Sequence, residues 1–259
     1  VLILLPPSEG KTAARRGKPL DLSALGSPVL TSARERVLDA LVTLCEGEPD
    51  VAAATLGVPR TQLDLVALNA TVRDAPTARA DQVYSGVVYE ALDFATLSSA
   101  AKRRATSRVA VTSSLFGLVR PGDRIPAYRL SGDATLPGLG GVAAHWRDAL
   151  GPALTEALGK GLLVDLRSQM YAAFWRPPAD LAKRVATVRV LHEVDGSRKV
   201  VSHFNKATKG RIVRELLEDG RDPRTPAALA DVVRDLGWTV EVGAPSPQGT
   251  QLDVVVSAL

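Results

Sequence analysis

The chain has 259 residues, of which 46% are hydrophobic, 23% charged and only 4% aromatic. That length can bury a substantial core, and the balance of apolar to charged residues excludes a chain too polar to fold. A net charge of +4 is compatible with a nucleic-acid partner without requiring one, and the single cysteine, Cys45, excludes an internal disulfide or a thiolate metal cluster.

Val1–Leu5 reads as a fully buried strand. It is too short for a signal segment or a spanning helix, and no longer apolar run follows, so a soluble, cytoplasmic protein without a membrane partner is expected. The strand runs into Pro6-Pro7-Ser8-Glu9-Gly10-Lys11-Thr12. Gly-Lys-Thr suggests a phosphate-binding loop, but that motif needs an earlier glycine where Leu5 stands. What remains is a strand end carrying Ser8, Glu9, Lys11 and Thr12, all able to hydrogen-bond or move protons, where sites collect in α/β folds. A solvated turn is the alternative. Residues 13–29, with Arg15, Arg16 and Lys18, read as a flexible basic loop.

Ser32-Ala-Arg-Glu35 has a capping-box pattern, and the stripe Val37, Leu38, Leu41, Val42 and Cys45 predicts a helix that buries the thiol. Residues 53–63 superficially match a helix-turn-helix, with Arg60, Thr61 and Gln62 in reach of bases. The apolar Leu63, Leu65, Val66 and Leu68 favour two ordinary packed helices instead. Asp81–Tyr89 is a short element around Gly86, and residues 90–101 are expected to be helical, followed by the basic Lys102-Arg-Arg104 and Arg108.

Val109–Ser113 reads as a buried strand leading into Ser114–Leu130, a passage that turns at Gly117, Pro121-Gly122 and Pro126. It presents Arg120, Asp123, Arg124, Tyr128 and Arg129 within a few residues. Such guanidinium density past a strand end suits a phosphate or carboxylate. It equally suits an Arg–Asp network that fixes a long loop, and both readings stay open. Gly132–Gly141 is glycine-rich, and Val142, Trp146, Ala149, Leu150, Leu154 and Leu158 mark a helix. Leu162–Leu166 is another buried run, with Asp165, Arg167, Ser168, Gln169 and Tyr171 at its end.

Residues 186–194 and 199–204 look like paired strands joined by an Asp195-Gly196 turn. Ile212, Val213, Leu216 and Leu217 then define a helix from Asn205 with a basic first turn. Cations there oppose the macrodipole, so Lys206, Lys209 and Arg211 point to an anion that offsets the cost. Thr225-Pro226 caps a last helix through Leu236, and strands at 238–242 and 252–257 close the chain. The expected fold is α/β (mixed α+β), a single domain over residues 1–259 with a central mixed β-sheet flanked by helices. Neighbouring strands would bring the polar ends of the buried runs into one cleft.

In order and spacing these segments resemble the YaaA peroxide-stress family. The resemblance rests on Pro7, Lys11 and Thr12; on Arg120-Pro-x-Asp123 with Tyr128-Arg129-Leu130; on Leu166, Ser168 and Tyr171; and on Ser202, Lys206, Gly210 and Arg214. Tyr84 and Gly86 fit a family Tyr-x-Gly element. The opening is longer than the Ser-Pro-Ala-Lys-Thr of many members, Phe116 stands where Tyr is common, Asp165 replaces Asn and Lys209 replaces Arg, which suggests a divergent branch. The resemblance implies a cytoplasmic protein that limits hydrogen-peroxide damage, linked to lowered free iron and to DNA binding through a positive cleft. No helix-hairpin-helix glycine signature is evident, and the lone Cys45 argues against peroxide reduction by a thiol pair.

Two functions follow, DNA binding ranking first, mainly on the resemblance. One is sequence-independent, salt-dependent binding of double-stranded DNA through Arg120, Tyr128, Arg129, Lys206, Lys209, Arg211 and Arg214. The scarcity of aromatics argues against stacking on single strands. The other is an enzyme acting on a phosphorylated or carboxylated small molecule, with Glu9, Lys11, Asp123, Asp165, Ser168 and Tyr171 as acid–base candidates. Glu9, Asp123, Asp165 and the three histidines, His145, His192 and His203, show no metal-site spacing. No metal and no cofactor are expected.

Overall fold

Leu2–Leu5, Val109–Ser113 and Leu163–Asp165 are buried over their whole length, as interior strands of a sheet covered on both faces must be. The computed structural model describes residues 1–194 and 197–257, apart from the side chains of Val194 and Ser202. Its main sheet contains β1 (Leu2–Leu5), β2 (Val109–Ser113), β3 (Gly117–Val119), β4 (Leu163–Asp165), β5 (Val185–Val194), β6 (Ser197–Lys199), β7 (Thr239–Ser246) and β8 (Gly249–Val256). The spatial order is β7-β8-β5-β4-β1-β2-β3, with β6 also paired to β5. From β8 through β2 the pairings are parallel, whereas β7, β6 and β3 join antiparallel. This is the mixed α/β architecture expected from the sequence.

The connectivity fixes where a site can form. The chain leaves β1 for β2 on one side, then crosses back to β4 on the other. The three parallel strands therefore end together at a reversal of winding order, where crevices open in such sheets. Helices cover this frame. Ser202–Asp219 packs against Val87–Leu92, against Ser99–Arg108 and onto β5, while Val142–Leu158 packs on β3 and on Thr31–Glu46. The first of these contacts needs Gly210. A Cβ there would lie 2.3 Å from the Val88 carbonyl oxygen and 2.8 Å from the Ala91 methyl. Among the described residues, no helix is long and apolar enough to cross a membrane.

Several local expectations need correction. Helix Thr31–Glu46 starts without a side-chain cap, so the Ser32–Glu35 pattern does not operate as a capping box. The expected helix over 90–101 is broken at Asp93, which adopts φ 46°, and restarts at Ser98, whose side chain accepts from the Ala101 amide; it then runs through the basic segment to Arg108. The helix-turn-helix resemblance resolves into Pro49–Leu56, a left-handed Gly57, a short turn and Asp64–Ala70.

The strand expected over 199–204 ends at Lys199, because Ser202 already begins a helix. Lys206, Lys209 and Arg211 thus lie beyond its first turn, and the macrodipole argument for an anion there is lost. The Asp195-Gly196 turn lies outside the described residues. Cys45 is buried and Thr225 caps the Ala228 amide, both as expected.

Candidate functional site

Past the end of β1 the chain carries Lys11 to an isolated antiparallel bridge with Tyr84, and the Thr12 amide donates to the Val83 carbonyl at 2.8 Å. This backbone contact, not a side-chain preference, sets the direction of Lys11. Its Nζ donates to the carbonyls of Ser8 at 2.8 Å and Glu9 at 3.3 Å. The ammonium lies 4.1 Å from the centre of the Tyr128 ring and 5.8 Å from that of Tyr84. Burial lowers the Lys11 pKa to about 7, and the nearby Arg129 guanidinium pushes in the same direction against a weaker pull from Glu9. The amine is therefore partly neutral at physiological pH.

The end of β2 supplies hydroxyls. Ser113 Oγ lies 2.8 Å from the Tyr128 hydroxyl, which lies 3.2 Å from that of Tyr84. Ser113 Oγ also accepts the Phe116 amide, while Ser114 Oγ donates to the Leu130 carbonyl at 2.7 Å. Phe116 meets Tyr128 edge-on, with ring centres 5.5 Å apart. Burial raises Tyr128, and more strongly Tyr84 and Tyr89, above the ordinary phenol value. Tyr171 is raised by burial and then by Tyr128, against an opposing hydrogen bond from Ser114. All four stay protonated at neutral pH, and the Tyr89 hydroxyl is committed to the Pro6 carbonyl at 2.7 Å.

Arg129 forms one wall. Its backbone is clamped by Asn69, which accepts from the amide at 2.8 Å and donates to the carbonyl at 2.7 Å. Its Nη1 donates to Glu9 Oε2 at 3.0 Å, while Nε is buried without a partner among the described residues. Glu9 is far more exposed than Arg129, with side-chain exposures of 76% and 22%. The Glu9 carboxylate is thus the solvent-facing member of the pair.

The end of β4 is a structural corner. Asp165 and Arg167 form a bidentate pair at 2.9 and 2.7 Å, and Arg167 also donates to the Tyr171 and Trp175 carbonyls. Lys209 reaches across from its helix to the Leu166 carbonyl at 3.1 Å. Burial lowers the Lys209 pKa, with Asp165 opposing. Ser168 is exposed just beyond this corner.

The ends of β1, β2 and β4 accordingly bring together Glu9, Lys11, Tyr128, Arg129 and Tyr171, with Asp165 and Lys209 behind them. The other candidates lie apart or are committed elsewhere. Arg120 donates to the Ser107 and Val109 carbonyls, and Arg214 to those of Leu92 and Asp93. Asp123 accepts the Gly26 and Arg120 amides and so fixes a turn. Lys206 and Arg211 are exposed on the Ser202–Asp219 helix.

Sequence reasoning left Ser113 and Arg34 out of the site and its support. Ser113 was visible as the last residue of a buried run. Arg34 is fully buried, and it donates to the carbonyls of Gly26, Phe116 and Leu118 at 2.7 to 2.9 Å. Its signal was its place three and four residues before Val37 and Leu38, on the apolar face.

The chain was also compared with known proteins. The chain is 52% identical to a UPF0246 protein of Streptomyces coelicolor, over 99% of this chain and 98% of the relative. It is 43% identical to a UPF0246 protein of Corynebacterium efficiens and 40% identical to one of Corynebacterium glutamicum, each over 93% of this chain and 95% of the relative. The family described as peroxide stress protein YaaA matches residues 1–242. The chain belongs to the peroxide stress protein YaaA family.

Proposed function

We propose that this protein serves the peroxide-stress response, in the cytoplasm, as an enzyme acting on a small molecule that carries a carboxylate or phosphate. The observation behind this reading is the buried Lys11 amine 4.1 Å from the centre of the Tyr128 ring, its pKa lowered to about 7 by burial and by Arg129. An amine of that pKa is a competent general base at physiological pH. Arg129 would hold the substrate's anion in place of Glu9, with the Lys11 amine beside the bound molecule. The chain of Ser113, Tyr128 and Tyr84 hydroxyls offers a route for proton movement.

Calorimetric titration with inorganic phosphate and with pyruvate tests the anion site. Saturable binding that Arg129→Ala abolishes is expected, and absence of binding to the wild type would count against the reading.

Duplex-DNA binding is the second reading, favoured by the exposed Lys206 and Arg211 on one helix and by the exposed Arg15, Arg16 and Lys18. Such a surface would bind phosphates without sequence preference. A salt series on a duplex, with Lys206→Glu/Arg211→Glu as comparison, should show a steep slope that flattens in the variant; equal binding by both would remove this surface. A direct link to iron gains no support from grouped ligands, since no group of three or more His, Cys, Asp or Glu residues is placed to hold a metal among the described residues.

A further inference from the structure

We propose that Lys11 is a nucleophile that forms an imine with a carbonyl compound bearing a carboxylate or phosphate, the anion being held by Arg129. This rests on the reading that the cleft takes an anionic small molecule, and deepens it by naming the reacting group.

The geometry carries the inference in three parts. First, Lys11 Nζ is fixed by the Ser8 and Glu9 carbonyls against the Tyr128 ring, so the reacting atom has a defined position. Second, Glu9 joins Arg129 to Lys11: its carbonyl accepts from Lys11 Nζ at 3.3 Å and its exposed carboxylate accepts from Arg129 Nη1 at 3.0 Å, the one Nη1 partner among the described residues. An anionic substrate replaces that carboxylate with its own, which places a carbonyl a few bonds away beside the amine. Third, the surrounding hydroxyls of Tyr128, Tyr84 and Ser113 are linked to one another and remain protonated. They form a reservoir from which a developing alkoxide can take a proton.

A desolvated lysine is the form of this side chain suited to carbonyl attack. The lysine retained behind the site, Lys209, is turned to the Leu166 carbonyl and is not placed to compete.

The step balances without a redox partner. The Nζ lone pair attacks the carbonyl carbon, a C–N bond forms, and the carbonyl π pair moves to oxygen. That oxygen takes one proton from the hydroxyl relay and nitrogen returns one to it, giving a carbinolamine. Loss of the hydroxyl with a second nitrogen proton, as water, breaks the C–O bond and leaves the C=N bond. Amine and carbonyl become imine and water.

The test incubates the purified chain with pyruvate, with glyceraldehyde 3-phosphate, or with neutral propanal, adds sodium cyanoborohydride, and maps modified lysines by peptide mass. Preferential reduction at Lys11 is expected with an anionic carbonyl, with at least about a tenfold excess over exposed lysines such as Lys206. Arg129→Ala should remove that preference, and Lys11→Arg should remove the adduct while circular dichroism shows the fold retained. Trapping with pyruvate alone or with the phosphorylated aldehyde alone assigns the carboxylate or the phosphate as the recognised anion. Equal modification of all lysines, or equal Lys11 labelling by propanal, overturns the proposal. Arg129-dependent anion binding in calorimetry without any Lys11 adduct overturns the imine while leaving the anion site standing. Failure of both experiments overturns both.

Discussion

The Lys11 ammonium rests 4.1 Å from the centre of the Tyr128 ring, although separate segments of the chain carry the two residues there. Lys11 follows the central strand β1, whereas Tyr128 closes the long passage after β2 and β3. A cation over an aromatic face is attracted to it, typically by about 0.5–2 kcal/mol. Here burial outweighs that attraction, and the proton is held weakly.

Stability should carry the mark of this burial. Below pH 7 Lys11 is charged in the folded and unfolded chains alike, so the cost of enclosing the ammonium is fully present. Between about 7 and 10.5 the unfolded chain binds more protons, and stability rises with pH. The buried tyrosines act oppositely once unfolded phenols ionise, near pH ~10. Urea midpoints measured from pH 6 to 9.5 should therefore increase, and Lys11→Met should flatten the increase; a flat wild-type profile contradicts the assignment.

Arg34 is the tie between the Thr31–Glu46 helix and the passage that carries the site. Arg34→Met leaves the Gly26, Phe116 and Leu118 carbonyls without their charged donor. A loss of about 3 kcal/mol or more is expected, given the cost of leaving buried acceptors unpaired. Denaturant unfolding checks it, and a change below about 1 kcal/mol would mean that water replaces the guanidinium.

Asp165→Asn should destabilise the chain by about 3–5 kcal/mol, since it strands the buried Arg167 charge. Because Arg167 also holds the Tyr171 and Trp175 carbonyls, near-ultraviolet circular dichroism should change with the melting temperature. Retention of both would show that the pair is dispensable.

Gly210→Ala should separate Ser202–Asp219 from Val87–Leu92. Its new methyl would meet a backbone oxygen at 2.3 Å, which no side-chain rotation relieves. A loss of about 1–3 kcal/mol is expected from overpacking of this kind. Unchanged stability would show that the helix shifts freely.

The strands were legible because Val1–Leu5, Val109–Val111 and Leu162–Val164 are uninterrupted apolar runs, and burial on both faces demands such runs. The helix Val142–Leu158 was equally plain from its periodic leucines. The start of Ser202–Asp219 was not: Val200, Val201 and Phe204 read locally as strand residues, yet tertiary packing makes helix from residue 202 onward. The site was half visible. Polar strand ends marked Glu9, Lys11 and Tyr171, and the passage after β2 marked Tyr128 and Arg129. Which arginines were spoken for was hidden, because Arg120 and Arg214 find their carbonyl partners in other segments, Arg214 more than a hundred residues away.

The most direct measurement is an NMR titration of Lys11 in protein labelled with carbon-13 at the lysine Cε, assigned by Lys11→Arg. The account predicts a midpoint near pH 7, moving upward when inorganic phosphate is added. A midpoint at the ordinary value of 10.5, indifferent to phosphate, would contradict the central claim that Lys11 is the reactive amine of an anion-binding site.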